Sequence, residues 1–358
     1  MMTVSGVAEK PGKWQRLRKW SLRILLGLLA LVLLLLIAGA AYEAWGRYRA
    51  ARLYPPRGTM VDIGDRRIHL DCRGSGSPTV ILESGLGSGG SVDWVRVHDT
   101  LARHTRTCAY DRAGIMWSDP KSAPQDAAAV ADDLHAALAA AGINGPLVLA
   151  GHSVGGPYTR VYTARHGQQV AGLVMVDASH PDQVRCLAQG VKGNVDPGQM
   201  AGPMRIATAL AWTGAIRLLV SGDMPNMPKD ASAKISAYMS SSVQGMRAEL
   251  EGFDRTLDQA RAVHSFGDRP LVVLTAMAPY TPKQLKMLGL TPQDGMRMKA
   301  IWKDLQTEMT AMSTHSRQQL VPDSGHYIQI DRPDVVIAAV DEVVDAVRAQ
   351  GAGKTARQ

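Results

Sequence analysis

A serine flanked two residues away on each side by glycine, in Gly151-His152-Ser153-Val154-Gly155, is the part of this chain best suited to covalent chemistry. It follows the apolar run Pro146 to Ala150 and precedes a helical pattern that begins after Gly156 with Tyr158, Val161 and Tyr162. A serine in a tight strand-to-helix turn presents its hydroxyl at the sheet edge, and the glycines let neighbouring backbone approach closely. In a chain with 35 glycines a five-residue match can also be an ordinary glycine turn. The flanking strand and helix favour the nucleophile. A hydroxyl attacks poorly until a base removes its proton. His326, in Asp323-Ser324-Gly325-His326, follows the last expected strand and so reaches the C-terminal edge where open α/β sheets bind ligands. His152 points away from the serine in the turn and is the weaker candidate.

The elements that must position these residues read as α/β. Met60 to Cys72 alternates around Gly64-Asp65 as a β-hairpin does. Strands follow at Thr79 to Leu82, Arg106 to Tyr110, Pro146 to Ala150, Gly172 to Val176, Pro270 to Thr275 and Arg317 to Val321. Helical patterns separate them, one holding Trp94, Val97 and Leu101, others at Ala127 to Ala141, Met296 to Met312 and Pro333 to Ala349. This alternation calls for a mostly parallel sheet with helices on both faces. About 90 residues between Val176 and Pro270 carry helical patterns at Ile206 to Val220, Ala233 to Met239 and Met246 to Ala262 and no clear strand. They read as a helical cap over the C-terminal edge of the sheet. Pro279 to Pro292 reads as a proline-rich loop.

From about Met60 to Ala349 the chain resembles the α/β-hydrolase superfamily. GHSVGG matches the nucleophile elbow, Glu83-Ser84-Gly85-Leu86 stands where the family carries its HG loop, and Asp111-Arg112-Ala113-Gly114 resembles its DRxG turn. Ser84 replaces the usual histidine of the HG loop, and Met116 replaces a frequent second glycine after DRxG. The resemblance implies an eight-stranded sheet and an oxyanion hole of two backbone N–H groups, which fall on Val154 and Leu86. It also implies an acid that orients His326. The loop after the seventh strand, where the family commonly places it, has no carboxylate before Asp294. Asp177 ends the sixth strand in VMVDASHP, the position used by haloalkane dehalogenases and some relatives, and is assigned the role. Asp177 could instead cap the loop entering the inserted region; Asp294, Asp304 and Glu308 are the other acids available. Serine at the elbow argues against dehalogenase or soluble epoxide hydrolase chemistry, both of which use an aspartate there.

One segment is not globular. Ile24 to Ala41 holds 18 uncharged, mostly apolar residues, about the length that crosses a ~30 Å hydrocarbon core. Lys10, Lys13, Arg16, Arg18, Lys19 and Arg23 precede it against the single acid Glu9, the asymmetry that keeps an N-terminus cytoplasmic and sends the following domain across, to the periplasm or outside. A retained single-pass anchor is the first reading. A signal peptide cut near Ala38-Gly39-Ala40, giving a secreted form, is the second. These bases and Arg47, Arg49, Arg52 and Arg57 supply much of the net charge of +8, and no clustered basic stripe remains for nucleic acid. Three cysteines are too few for a disulfide scaffold and lack metal-site spacing. In the resembled fold the strands ending at Cys72 and holding Cys108 are neighbours, so in an oxidising compartment they either pair or stay two small buried residues. Cys186 is left over.

The expected organisation is therefore a basic arm at 1–23, a membrane anchor or signal segment at 24–43, a linker at 44–59, a hydrolase core at 60–177 and 269–350, and a helical cap at 178–268. The expected activity is cleavage of a small-molecule ester or related acyl bond through an acyl-enzyme on Ser153, with His326 and Asp177 and without metal or organic cofactor. An acyltransferase on the same site and a non-catalytic binding protein are the alternatives.

Overall fold

The computed structural model describes residues 12–121 and 124–355; Glu9 and Lys10 of the basic arm lie outside them. In chain order the elements are α1 (Lys13–Leu53), β1 (Thr59–Asp62), β2 (Arg67–Arg73), β3 (Thr79–Glu83), α2 (His98–Leu101), β4 (Thr107–Tyr110), α3 (Ala127–Ala140), β5 (Leu147–His152), α4 (Gly155–His166) and β6 (Val170–Val176). The inserted region adds α5 (Gln183–Gly190), α6 (Ala201–Leu210), α7 (Ala215–Leu219), α8 (Lys229–Glu251) and α9 (Phe253–Arg261). β7 (Leu271–Ala276), α10 (Pro282–Leu288), α11 (Pro292–Thr310), β8 (Ser316–Val321), α12 (Ile328–Asp331) and α13 (Pro333–Thr355) complete it.

The eight strands form one sheet in the order β1-β2-β4-β3-β5-β6-β7-β8. β1 and β2 pair antiparallel, as does β2 with β4; every other pairing is parallel. The central strands β3, β4, β5 and β7 are buried along their whole length, which is why they read as unbroken apolar runs instead of alternating ones. One core layer joins the sheet to α3, α4 and α9 through Leu134, Leu138, Val161, Tyr162, Phe253 and Leu257. The other packs Trp94, Val97 and Leu101 with Val336, Val340 and Val343 of α13. Cys72 and Cys108 stand opposite each other on β2 and β4 and are joined by a disulfide. Cys186 is free.

Several boundaries differ from the sequence expectation. The helix begins inside the basic arm at Lys13, and the expected linker is helical up to Leu53, because Ala44 to Leu53 are mostly good helix formers and the first breaker is Pro55-Pro56. In the inserted region Lys229–Glu251 is one continuous helix, running through the serines and Gly245 that break its pattern in sequence. α9 was expected in the cap, yet its Phe253, Leu257 and Ala260 lie in the main core with α3 and α4. Pro282–Leu288, expected as loop, is a helix started by a capping box between Thr281 and Gln284. Trp94 ends a 3-10 turn, Gly90–Trp94, and only His98–Leu101 beyond it is α-helical. α1 is long and apolar enough to cross a membrane, and its apolar part is exposed except near its end, where Gly39 and Ala40 are half-buried.

Candidate active site

β5 ends at His152 and α4 starts at Gly155, so Ser153 and Val154 form the turn between them. Ser153 has φ +53, a left-handed conformation that costs a non-glycine residue about 1–3 kcal/mol. Its surroundings hold it there. The Ser153 N–H donates to the Val176 carbonyl at 3.2 Å, and the Ser153 carbonyl accepts from Gly156 at 2.9 Å and from Ser179 at 2.8 Å. A Cβ at Gly155 would stand 2.6 Å from the Glu83 carbonyl oxygen, and one at Gly85 would stand 3.0 Å from the Ser153 Cβ. Only glycine at these two positions lets the loop after β3 lie against the serine.

His326 stands in the loop after β8, the edge strand on the same side of the sheet as β6 and β7. His326 Nδ1 lies 2.6 Å from Asp177 Oδ2. The second oxygen of Asp177 accepts from the Ala276 N–H at 2.9 Å and from the Trp302 indole N–H at 2.8 Å. Burial alone would raise the Asp177 pKa, but the His326 bond and charge, with the Trp302 and Ala276 donors, outweigh it and hold the carboxyl below its ordinary value. An ionised Asp177 keeps the imidazole proton on Nδ1 and leaves Nε2 as the acceptor. The Ser153 hydroxyl makes no hydrogen bond to the imidazole here; such bonds are often long without substrate and tighten in the complex.

The other acids are placed elsewhere. Asp294 caps α11, accepting from the Thr291 hydroxyl at 2.7 Å. Asp304 is exposed on α11, and Glu308 lies 3.6 Å from His180. Neither the Val154 nor the Leu86 N–H meets a protein acceptor among the described residues. Val154 stands at the N-terminal end of α4, where unpaired amides and the helix dipole favour negative charge. Leu86 is half-buried against the core.

His152 has a supporting position. Its Nε2 lies 2.9 Å from the His326 carbonyl oxygen, tying the elbow to the histidine loop. Burial, with the neighbouring His326, pushes its pKa down to about 3. The folded value lies below the ordinary ~6.5, so this stability is present near neutral pH and is lost as pH falls from about 6.5 towards 3. His152→Gln, which keeps a donor for the carbonyl, should therefore lose on the order of 2 kcal/mol less stability than wild type between pH 6.5 and 4.5. Melting both proteins at the two pH values tests this, and equal losses would refute it.

A buried ionic cluster fixes the loop after β3. Arg112 donates to Glu83 at 2.6 Å, to the Ser84 and Gly85 carbonyls at 2.8 Å each, and to both oxygens of Glu249 at 2.7 and 2.9 Å. Ser84, where the family has histidine, accepts from the same guanidinium through its hydroxyl oxygen at 3.0 Å. Glu249 sits near the end of α8, so the cluster links the loop beside Ser153 to the inserted region. Beside the His326–Asp177 pair opens a cavity of about 310 Å³, lined by Leu187, Tyr280, Met287, Met298, Lys299 and Trp302 among others. The Lys299 ammonium donates to the Ala276 carbonyl at 2.9 Å and lies over the Tyr280 ring. Among the described residues no group of histidine, cysteine and carboxylate side chains is arranged to hold a metal ion.

Residues 78–204 match the family model for the alpha/beta hydrolase fold. A thermophilic esterase from Thermogutta terrifontis shares the fold with a TM-score of 0.55 at 20% identity, over 79% of this chain and 94% of that one. The chain has the α/β-hydrolase fold. The enol-lactonase from Burkholderia xenovorans LB400 is similar over 80% of this chain and 99% of its own, with a TM-score of 0.54 and 17% identity. At such identities the likeness speaks for the fold, and α/β-hydrolase folds carry many chemistries. Among curated sequences, an uncharacterized protein of Schizosaccharomyces pombe is 25% identical over 328 residues, 83% of this chain and 57% of that protein. The chain spans about half the length of the first curated relatives it matches.

Two features of this α/β-hydrolase site were not read from the sequence. Trp302 as a donor to Asp177 has no local signature, since an isolated tryptophan on a helix usually signals packing. The Arg112–Glu249 pair spans 137 residues; only the full burial of two opposite charges marks it.

Proposed function

We propose that the chain is a serine hydrolase acting on esters or related acyl compounds. Ser153 attacks the acyl carbon, His326 Nε2 takes the hydroxyl proton and returns it to the leaving alcohol, and Asp177 stabilises the imidazolium. The Val154 and Leu86 amides receive the oxyanion, and water then releases the acyl group by the same proton relay. The observation that carries this reading is the strained Ser153 at the sheet edge together with the 2.6 Å pair of His326 and Asp177. Removing one oxyanion donor typically costs about 3 kcal/mol in the transition state.

A fluorophosphonate probe is the direct test, since it reacts with an activated serine. The expected result is one labelled peptide, carrying the modification on Ser153, with labelling abolished in His326→Ala. Labelling at another serine, or none under conditions where p-nitrophenyl esters are hydrolysed, would overturn the assignment. An ester chain-length series on the same preparation then reports the acyl preference.

The same reading places α1 in a membrane as a retained anchor, with the N-terminus cytoplasmic and the catalytic body exported. Supporting it are the uncharged run Ile24 to Ala41, the bases before it, and the Cys72–Cys108 disulfide, which suits an oxidising compartment. Retention also fits the packing of the outer part of α1: Glu43 is buried and paired with Arg47 at 2.8 Å and with Arg217 of α7 at 3.1 Å.

A further inference from the structure

Large apolar side chains outside α1 are exposed mainly in one stretch of the inserted region. Ile206, Leu210, Trp212, Leu218, Leu219 and Val220 are all exposed, with Leu218 at 72% and Leu219 at 81%. Met200 extends the set, and beyond it only Met287, Met296 and Leu320 are comparably bare among the described residues. Soluble surfaces rarely gather so many large apolar groups, and a concentration of this kind marks a site of contact.

The height of this stretch along α1 identifies the contact. The 3-10 turn Ala211–Thr213 and α7 pack directly on α1. A Cβ on Gly39 would stand 2.4 Å from the Thr213 carbonyl oxygen, and one on Gly214 would stand 2.8 Å from the Tyr42 ring. Gly39 is two residues short of Ala41, where the uncharged run ends, which at 1.5 Å per residue is about 3 Å inside that end. The turn between α6 and α7 is thus held at the level where the hydrocarbon of the outer leaflet gives way to headgroups. Trp212 sits in that turn, and tryptophan favours this boundary because its ring is apolar and its N–H is polar. Glu43, the first charged residue of α1 after the uncharged run, is neutralised by Arg217 in a buried pair.

We infer that the segment Ile206 to Val220 is a second membrane contact, with its apolar side chains lying in the outer-leaflet interface beside the anchor. The occupant of this face is the lipid surface. A second copy of the chain is the competing occupant, and the experiment separates the two. The inference rests on α1 being a retained membrane anchor.

The test uses the full chain with Cys186→Ser, so that an introduced cysteine is the one free thiol beside the Cys72–Cys108 disulfide. Leu219→Cys and, as a distant exposed control, Glu342→Cys are labelled with an environment-sensitive fluorophore and reconstituted into phosphatidylcholine nanodiscs. Both positions are exposed, so neither substitution threatens the fold. The expected result is blue-shifted emission at position 219, quenched at least ~2-fold more than at 342 by a lipid carrying a nitroxide near its headgroup. Water-like emission at 219 in protein that still co-elutes with the nanodisc overturns the inference and leaves the anchor intact. A blue shift without quenching also overturns it, because the face is then covered by protein. Failure to enter nanodiscs removes the anchor and the inference with it.

Discussion

Replacing Asp177 with asparagine is expected to lower ester turnover about 10⁴-fold without unfolding the protein. The reason is in the hydrogen-bond pattern. The Ala276 and Trp302 N–H groups both donate to Oδ1, so an asparagine there would keep its carbonyl oxygen on them. Its NH₂ would then face His326 Nδ1, which would have to become an acceptor. That moves the ring proton to Nε2, the atom that receives the proton of Ser153 in the proposed relay. Turnover of a p-nitrophenyl ester, with Asp304→Asn as the exposed control, measures the effect. Activity within tenfold of wild type would show that another group orients the histidine.

The second large effect concerns folding. Arg112→Met should destabilise the catalytic body by about 3–5 kcal/mol, because it leaves Glu83 and Glu249 buried without their shared cation. Burial pushes the Glu83 pKa up to about 7 even with the neighbouring Arg112 pulling it down, so losing the guanidinium makes the carboxylate harder still to keep charged. Adding Glu249→Gln to Arg112→Met should restore part of the loss, since one buried charge is then removed. Thermal melting in detergent of the single and double variants checks this; a single variant that melts with wild type would mean that water reaches the cluster. Arg112 also holds the Ser84 and Gly85 carbonyls, so the surviving folded fraction should turn over esters more slowly.

What the sequence disclosed, and what it did not, follows the range of the interactions. Ser153 was legible because its strand, turn and helix lie within some 20 consecutive residues, and the strained turn needs glycine at fixed places. His326 was legible because a strand end is visible in apolar patterning. Asp177 needed the family resemblance and the absence of a carboxylate after β7. The structure adds what neither could supply, that Asp294 caps α11. The inserted region was read least well. Its long helix α8 is interrupted in pattern by Ser240 to Ser242, yet Ser240 and Ser242 are buried, and the Ser242 hydroxyl accepts from the Met116 N–H at 3.0 Å. Buried small polar residues look like a solvated break to any reading based on hydropathy alone. Likewise α9 shows its allegiance only in three dimensions, where Phe253 and Leu257 meet α3 and α4.

The continuity of α1 decides which part of the chain a bilayer would hold still. The helix runs unbroken to Leu53 and packs on the 3-10 turn Ala211–Thr213, α7 and α8, all parts of the inserted region. With α1 fixed in a bilayer, those pieces would be the stationary member of the machine. Any widening of the gap between them and the sheet would then be a swing of the catalytic body beneath a fixed roof, pivoting near Tyr54, whose carbonyl is gripped by Trp117 from the body and by Tyr238 from the roof.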